Sequence, residues 1–218
     1  TGKTSIAVNL AAALTQPQYR SSEHPVWLAD CDVEAPNDAL FFSFEFAWEK
    51  AVKRLIPKIN LEKCNLCGRC ADVCTYNAIA LAGGKVIVFN ELCHACGSCA
   101  AQCSLGAISE IPEEIGILRS GKKGGIHFLE GRLNIGFSLA TPIIRDLKKA
   151  MERVLLNNNG AIVIRDAPPG TSCTVAECLR GSDFALMVTE PTPFGLHDLK
   201  LITELAVGEM KLPAGVVI

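Results

Sequence analysis

The run CNLCGRCADVC at residues 64–74 recurs as CHACGSCAAQC at 93–103. The offset is a constant 29, and it also matches Gly68 with Gly97, Ala71 with Ala100, Ala78 with Ala107 and Ile79 with Ile108. CNLCGRCADVCTYNAIAL and CHACGSCAAQCSLGAISE are therefore two copies of one unit. Eight of the eleven cysteines stand in these CxxCxxCxxxC runs. Disulfide knots would suit an oxidising compartment, whereas this spacing reads as metal ligation in a reducing cytosol. Structural zinc uses two CxxC pairs and has no need of a third and fourth thiolate in each run. No histidine follows either CxxC, as covalent haem attachment requires.

Two such runs form the signature of paired iron–sulfur cubanes, in which three closely spaced thiolates hold one cluster and the distant fourth crosses to the other. Cys64, Cys67, Cys70 and Cys103 are thus expected to bind one [4Fe-4S] cluster, and Cys93, Cys96, Cys99 and Cys74 the second. The glycine after each second cysteine lets backbone approach a bulky cluster, whose sulfurs accept backbone N–H groups. Thr75 and Ser104 stand where a proline usually follows the fourth cysteine. Pro57 and Pro112 read as borders, making 57–112 a small insert held together largely by its metal.

Outside those borders, 1–56 and 113–218 read as alternating strands and helices. IAVNLAAALT has apolar residues at helical spacing, VWLAD (26–30) is a short apolar run, and HFLEGRLNIG reads as a strand pair. PIIRDLKKAMERVLL is an amphipathic helix opened by Pro142, AIVIRD a buried strand, and TVAECLR a helix with a capping box from Thr174 to Glu177. FALMVTE, HDLKLITELAVGEM and AGVVI continue the alternation. The expected class is α/β, a mostly parallel doubly wound sheet with helices on both faces. Net charge is −2, and Lys122-Lys123 beside glycines is only a short local basic pair, so nothing points to nucleic acid. No apolar run approaches the roughly 18 residues of a membrane span.

TGKT is the second half of GxxxxGK[ST], and it directly precedes a helix whose N-terminal N–H groups favour an anion. Gly2 leaves room for phosphate, Lys3 can reach the β and γ phosphates, and Thr4, followed by Ser5, can ligate Mg²⁺. The strand and half-loop that would precede Thr1 are not in the sequence. Asp166 ends AIVIR in the place of a Walker B carboxylate, and Gly170 in DAPPG can offer an N–H to a γ-phosphate. Asp30 and Asp32 sit two apart at a strand end, one placed for metal and the other for a catalytic water. Each carboxylate alone reads equally as a solvated turn residue; the order of the set relative to TGKT favours a site.

TGKTSIAVNLA, DCDVEAPN, DAPPGTSC and TEPTPFGLHDLK resemble the MinD-superfamily P-loop ATPases that contain an inserted ferredoxin domain, relatives of the nitrogenase iron protein and of ATP-dependent iron–sulfur carriers. The likeness covers essentially the whole chain. It implies a deviant Walker A loop whose early lysine, upstream of Thr1, acts across a nucleotide-dependent dimer, with itself or with a paralogue. Lys3 and Thr4 would bind phosphate and Mg²⁺, Asp32 would position water in a first switch, and Asp166 to Gly170 would form a second. TEPTPFGLHDLK would close over the base, with His197 and Asp198 at its helix start. By the same likeness Cys173 is a candidate ligand of a subunit-bridging cluster, with buried structural thiol as the plainer reading; Cys31 and Cys178 read as packing residues.

The expected protein is thus a cytoplasmic ATP-binding iron–sulfur protein with ATP, Mg²⁺ and two [4Fe-4S] clusters, in which hydrolysis gates electron transfer to a redox partner. The alternative is a carrier that hands a cluster or metal cofactor to an acceptor protein. A positioning ATPase with an interaction module would waste eight intact ligands.

Overall fold

The computed structural model describes residues 2–19, 24–158 and 160–218; Thr1 of the TGKT run lies outside them. The elements are α1 (Lys3–Leu14), β1 (Val26–Asp30), β2 (Glu45–Ile59), α2 (Arg69–Asp72), β3 (Ile79–Ala82), β4 (Lys85–Val88), α3 (Ser98–Ala101), β5 (Ile108–Lys123), β6 (Ile126–Leu133), α4 (Thr141–Asn157), β7 (Ile162–Asp166), α5 (Cys173–Leu179), β8 (Ala185–Val188), α6 (Pro193–Thr203) and β9 (Ala214–Val217). They fall into two compact units. One comprises Thr1–Lys50, Gly116–Asn134 and Ala140–Ile218, and the other Ala51–Ile115 with Ile135–Leu139. Pro57 and Pro112, read above as borders, lie inside β2 and β5. None of the helices is long and apolar enough to cross a membrane, among the described residues.

The first unit is α/β with a five-stranded sheet ordered β2-β5-β6-β1-β7. It is mixed, which corrects the mostly parallel sheet expected. β1 pairs in parallel with both β6 and β7, whereas β5 pairs antiparallel to β6. The cause is Gly124-Gly125, both at positive φ (57° and 88°), which close a two-residue hairpin between Lys123 and Ile126. A connection that short can only return the chain antiparallel. HFLEGRLNIG is accordingly one strand, β6, and not a pair. β8 and β9 form a separate parallel pair.

The register places side chains on two faces. Val26, Leu28, Ile126 and Phe128 share one face and pack with Phe44 against Ala7, Val8 and Ala11 of α1. Phe44 stacks on Phe128 with ring centroids 4.1 Å apart. The other face receives α4, whose Ile143, Ile144, Leu147 and Met151 are fully buried at helical spacing. β7, read as a buried strand, is an edge of this sheet, and Ile162 remains 39% exposed. α5 starts at Cys173 with Ser172 before it, not with a Thr174 to Glu177 box. Glu177 is instead buried and gathers Lys148 (2.9 Å) and Arg180 (3.0 Å).

In the second unit the repeat is visible in the backbone. Leu66 and Ala95, Gly68 and Gly97, and Asn77 and Gly106 all have positive φ at the same offset. Each glycine turns the chain into a short helix, α2 or α3. The copies also exchange hydrogen bonds: Asn60 N–H donates to Ala107 O and Phe89 N–H to Ala78 O, both at 2.8 Å. These bonds are one interaction seen from the two copies, so the unit has a local pseudo-two-fold.

β5 and β2 approach closely where both lie in the first unit: a Cβ at Gly121 would stand 2.8 Å from Glu45 O. Gly121→Ala is expected to destabilise that unit by about 1–3 kcal/mol through strand separation. Urea unfolding checks it; an unchanged midpoint would mean the contact is not tight.

Candidate functional site

All eleven cysteines are free thiols. Two cavities in the second unit account for eight. One is lined by Cys64, Cys67, Cys70 and Cys103, with Ser104 beside them. The other is lined by Cys93, Cys96, Cys99 and Cys74, and is walled by Tyr76 and His94, whose rings stack 3.7 Å apart. Each cavity therefore takes three thiols from one copy and the fourth from the other. The donor set fits a cubane chemically: soft thiols, with backbone N–H groups turned toward sulfur. Ala78 N–H reaches Cys74 Sγ and Ala107 N–H reaches Cys103 Sγ, both at 3.3 Å, and Ala95 N–H reaches Cys93 Sγ at 3.4 Å. Holding Leu66 and Ala95 at positive φ costs about 1 kcal/mol each, a strain that turning the loops inward around a ligand explains. The thiols differ in environment. The Ser98 hydroxyl lowers the Cys96 pKa, while burial raises those of Cys70 and Cys99.

Arg54, only 5% exposed, ties the second cysteine loop to the strands beside it. Its guanidinium donates to Cys93 O and Asn90 O, each at 2.8 Å, and to Glu113 Oε2 at 2.8 and 2.7 Å.

In the first unit, α1 begins at Lys3 behind Gly2, which takes φ 73° and accepts Ile6 N–H. Thr4 Oγ1 donates to Asp166 Oδ2 at 2.6 Å. Lys3 lies close enough to Asp32 and Asp166 to counter the upward pull of burial on both pKa values. Asp32 is half-buried and its carbonyl accepts Ala35 N–H. Asp30 is fully buried and points away from bulk water, accepting N–H bonds from Asp32, Asn37 and Asp38 at 2.9 to 3.1 Å. Lys3 and Gly170 line a cavity of about 240 Å³ together with Glu190, Thr192, Phe194 and Asp198, which brings TEPTPFGLHDLK to the same opening. Ser5 and His197 are exposed and line none of it. Cys173 is exposed at the start of α5, while Cys31 and Cys178 are buried beside each other.

Sequence reasoning missed Asp38. It sits in the 3-10 turn Asp38–Leu40, fully buried, with ligand oxygens of Asp30, Asp38 and Asp166 all within 4.8 Å of one another. Neither Asp38 oxygen receives a protein N–H or O–H, and only a protonated Asp38 can donate to Asp166. Burial first, then the Asp30 and Asp166 charges, push its pKa up to about 9; burial pushes Asp30 up to about 7. Nothing in the spacing eight residues after Asp30 announces this. Three buried carboxylates in such proximity suit a hard divalent cation.

Residues 57–80 match the 4Fe-4S binding domain family Fer4, which spans the first cysteine run. Over 206 residues the chain is 35% identical to the uncharacterized protein MJ0578 of Methanocaldococcus jannaschii, covering 94% of this chain and 69% of that one. To MJ0579 of the same organism it is 30% identical over 225 residues, 100% of this chain and 75% of that one. The chain belongs to the family of these two proteins. It is an α/β member carrying a 4Fe-4S binding domain.

In this MJ0578/MJ0579-family protein, Arg54→Met should cost about 3 kcal/mol, because Glu113 and two carbonyls lose their buried donor. Loss of visible cluster absorbance on heating is the readout, and wild-type behaviour would show the arginine to be dispensable.

Carboxyls with folded pKa values raised to about 7 and about 9 bind protons more tightly than in the unfolded chain. With no divalent cation added, the stability that these two carboxyls contribute is fully present below the ordinary carboxylate range and is lost as pH rises through 7 toward 9. Mg²⁺ or Asp38→Asn should flatten that fall. Thermal melts at about pH 5 and about pH 8 test it; a flat profile without Mg²⁺ would contradict the buried triad.

Proposed function

We propose that this iron–sulfur protein is a MinD-superfamily P-loop ATPase that uses nucleotide state to gate electron transfer through two [4Fe-4S] clusters. The observation that carries the nucleotide half is the Thr4 to Asp166 bond at 2.6 Å. A hydroxyl one residue into a helix and a carboxylate at a strand's end, 162 positions apart, meet where a Walker A Thr and a Walker B Asp share Mg²⁺. Lys3 would then face the phosphates, with Asp32 placed to orient water and Gly170 to offer its N–H as the second switch. Asp30 and Asp38 would add charge that a cation neutralises.

For the redox half, the two crossed cysteine quartets support two clusters, Cys64, Cys67, Cys70 and Cys103 holding one and Cys93, Cys96, Cys99 and Cys74 the other. When bound, such clusters accept and release single electrons. The chain's own part is to fix the thiols and supply N–H donors to their sulfurs, with the stacked Tyr76 and His94 walling one cavity. ATP, Mg²⁺, a nucleotide-dependent dimer, a redox partner and a cytoplasmic setting all follow from this reading. A second reading, delivery of a cluster to an acceptor protein, is favoured by one observation: Cys67 and Cys96 are exposed, within reach of incoming ligands.

Three variants of the holoprotein test these readings. Lys3→Ala should abolish ATP turnover and leave the visible cluster spectrum intact; unchanged turnover removes the nucleotide site. Cys74→Ser should lower iron from about eight to about four per chain and spare the cluster of the first run. Electron transfer to an artificial acceptor should differ between ATP and ADP, and Asp32→Asn should abolish the difference. Equal rates with both nucleotides, together with iron appearing in an apo-acceptor, would replace gating by delivery.

A further inference from the structure

On the sheet face that receives α4, near the start of β1 and away from the acidic row at its end, lies a further cavity of about 400 Å³. Its floor is one face of three adjacent strands. Ser120 pairs directly with Leu129, so both point the same way, and Trp27 shares that face through its parallel partner His127. Its wall is a stripe of α4: Asp146, Lys149, Ala150 and Arg153, at the spacing that puts residues on one helix face. Trp48 and Lys50 of β2 complete the lining. Asp30 is three residues beyond Trp27 and on the opposite face, so this cavity is distinct from the carboxylate site.

The chemistry of the lining is asymmetric. Lys149 is paired with Asp146 at 3.0 Å, but Lys50 and Arg153 have no carboxylate partner among the described residues. Two uncompensated cations therefore stand beside an indole that is 43% exposed, Trp48, while Trp27 is held in place by stacking on His127 at 4.5 Å. Burial and the Lys122 charge both lower the His127 pKa, so it adds no competing cation to the floor. The volume lies within the range of small-molecule pockets, about 300–1,000 Å³. An indole face offers stacking, and Arg and Lys offer charge-assisted bonds to carboxylate or phosphate oxygens.

We propose that this cavity binds a planar aromatic molecule carrying a carboxylate or phosphate, stacked on Trp48 with its anion between Lys50 and Arg153. Both tryptophans of the chain line the cavity, so intrinsic tryptophan emission reports on it alone. Holoprotein titrated with naphthalene-2-carboxylate or with AMP, with emission corrected for cluster absorbance and heat measured in parallel, should show saturable quenching by at least one. Saturation by the first alone assigns a carboxylate ligand, by AMP alone a phosphate, and by both a general aromatic-anion site. The neutral naphthalene-2-carboxamide, and the Arg153→Ala and Lys50→Ala variants, should each bind at least about tenfold more weakly, the loss of one charged contact. Both cations are exposed, so their removal leaves the fold intact, which the melting temperature verifies. Absence of saturable quenching, equal binding of the carboxamide, or undiminished binding by both variants would overturn the proposal. Lys3→Ala should leave the quenching unchanged, so its outcome is independent of ATP binding.

Discussion

The first unit is organised by a row of buried carboxylates that parallel pairing forces together. Asp30 on β1 is in register with Glu130 on β6 and with Asp166 on β7, and the three are 0%, 1% and 3% exposed. Left uncompensated, each would cost several kcal/mol. The fold meets that cost differently at each strand. Glu130 takes a two-pronged bond from Arg119 at 2.9 and 3.0 Å, and Arg119 lies over the Phe46 ring at 4.1 Å. Asp30 is caged by three backbone N–H groups, and Asp166 has the Thr4 hydroxyl and the Lys3 charge. Asp38 alone has none of these. The row thus grades from an internally neutralised end at β6 to an end at Asp38 and Asp166 that calls for a proton or a cation.

That gradient also explains the arrangement of backbone around it. The loop from Asp30 to Asp38 doubles back because its amides at 32, 37 and 38 all serve one carboxylate. Cys31 is pinned at the same point by donating its N–H to Asp166 O, and its thiol meets Cys178 of α5. Hydrogen bonds thus tie Asp30 to the 30–38 loop and Cys31 of that loop to Asp166 at the start of the 166–173 loop.

Much of this was legible from the sequence, for local reasons. VWLAD matches β1 to the residue because an apolar run ending in Asp has no other sensible reading, and the apolar spacing of PIIRDLKKAMERVLL, 142–156, appears as α4 with one more residue at each end. The gathering of eight thiols around two cavities follows the sequence spacing, because that spacing carries its own chemistry. What escaped depends on partners far away in the chain. β2 reads EFAWEKAVKRLIPKI, with a proline and several charges, and its buried Arg54 looks like a surface residue until Glu113, 59 positions on, is placed beside it. The Gly-Gly pairs at 83–84 and 124–125 were hairpin signals in plain view, and the second alone converts a parallel sheet into a mixed one. Asp38 follows no motif: its burial is created by the amides that Asp30 recruits.

The cysteine unit makes the opposite kind of bargain. One of its buried apolar clusters comprises Ile56, Ala78 and Cys93, with Cys74 packed against them. Two of those four are thiols that also line the second cavity. The unit also buries Val52, Ile79, Ala107 and Ile115, but so modest a core offsets only part of the conformational entropy of some 70 residues, and units of this kind rely on ligation or cross-links as well. The exchanged bonds Asn60 to Ala107 and Phe89 to Ala78 add that neither copy can complete its backbone pairing without the other. Because Ala78 and Ala107 also donate to Cys74 and Cys103, each crossover cysteine is positioned by the same residue that joins the copies. Thiol placement and repeat pairing therefore draw on the same two residues, Ala78 and Ala107.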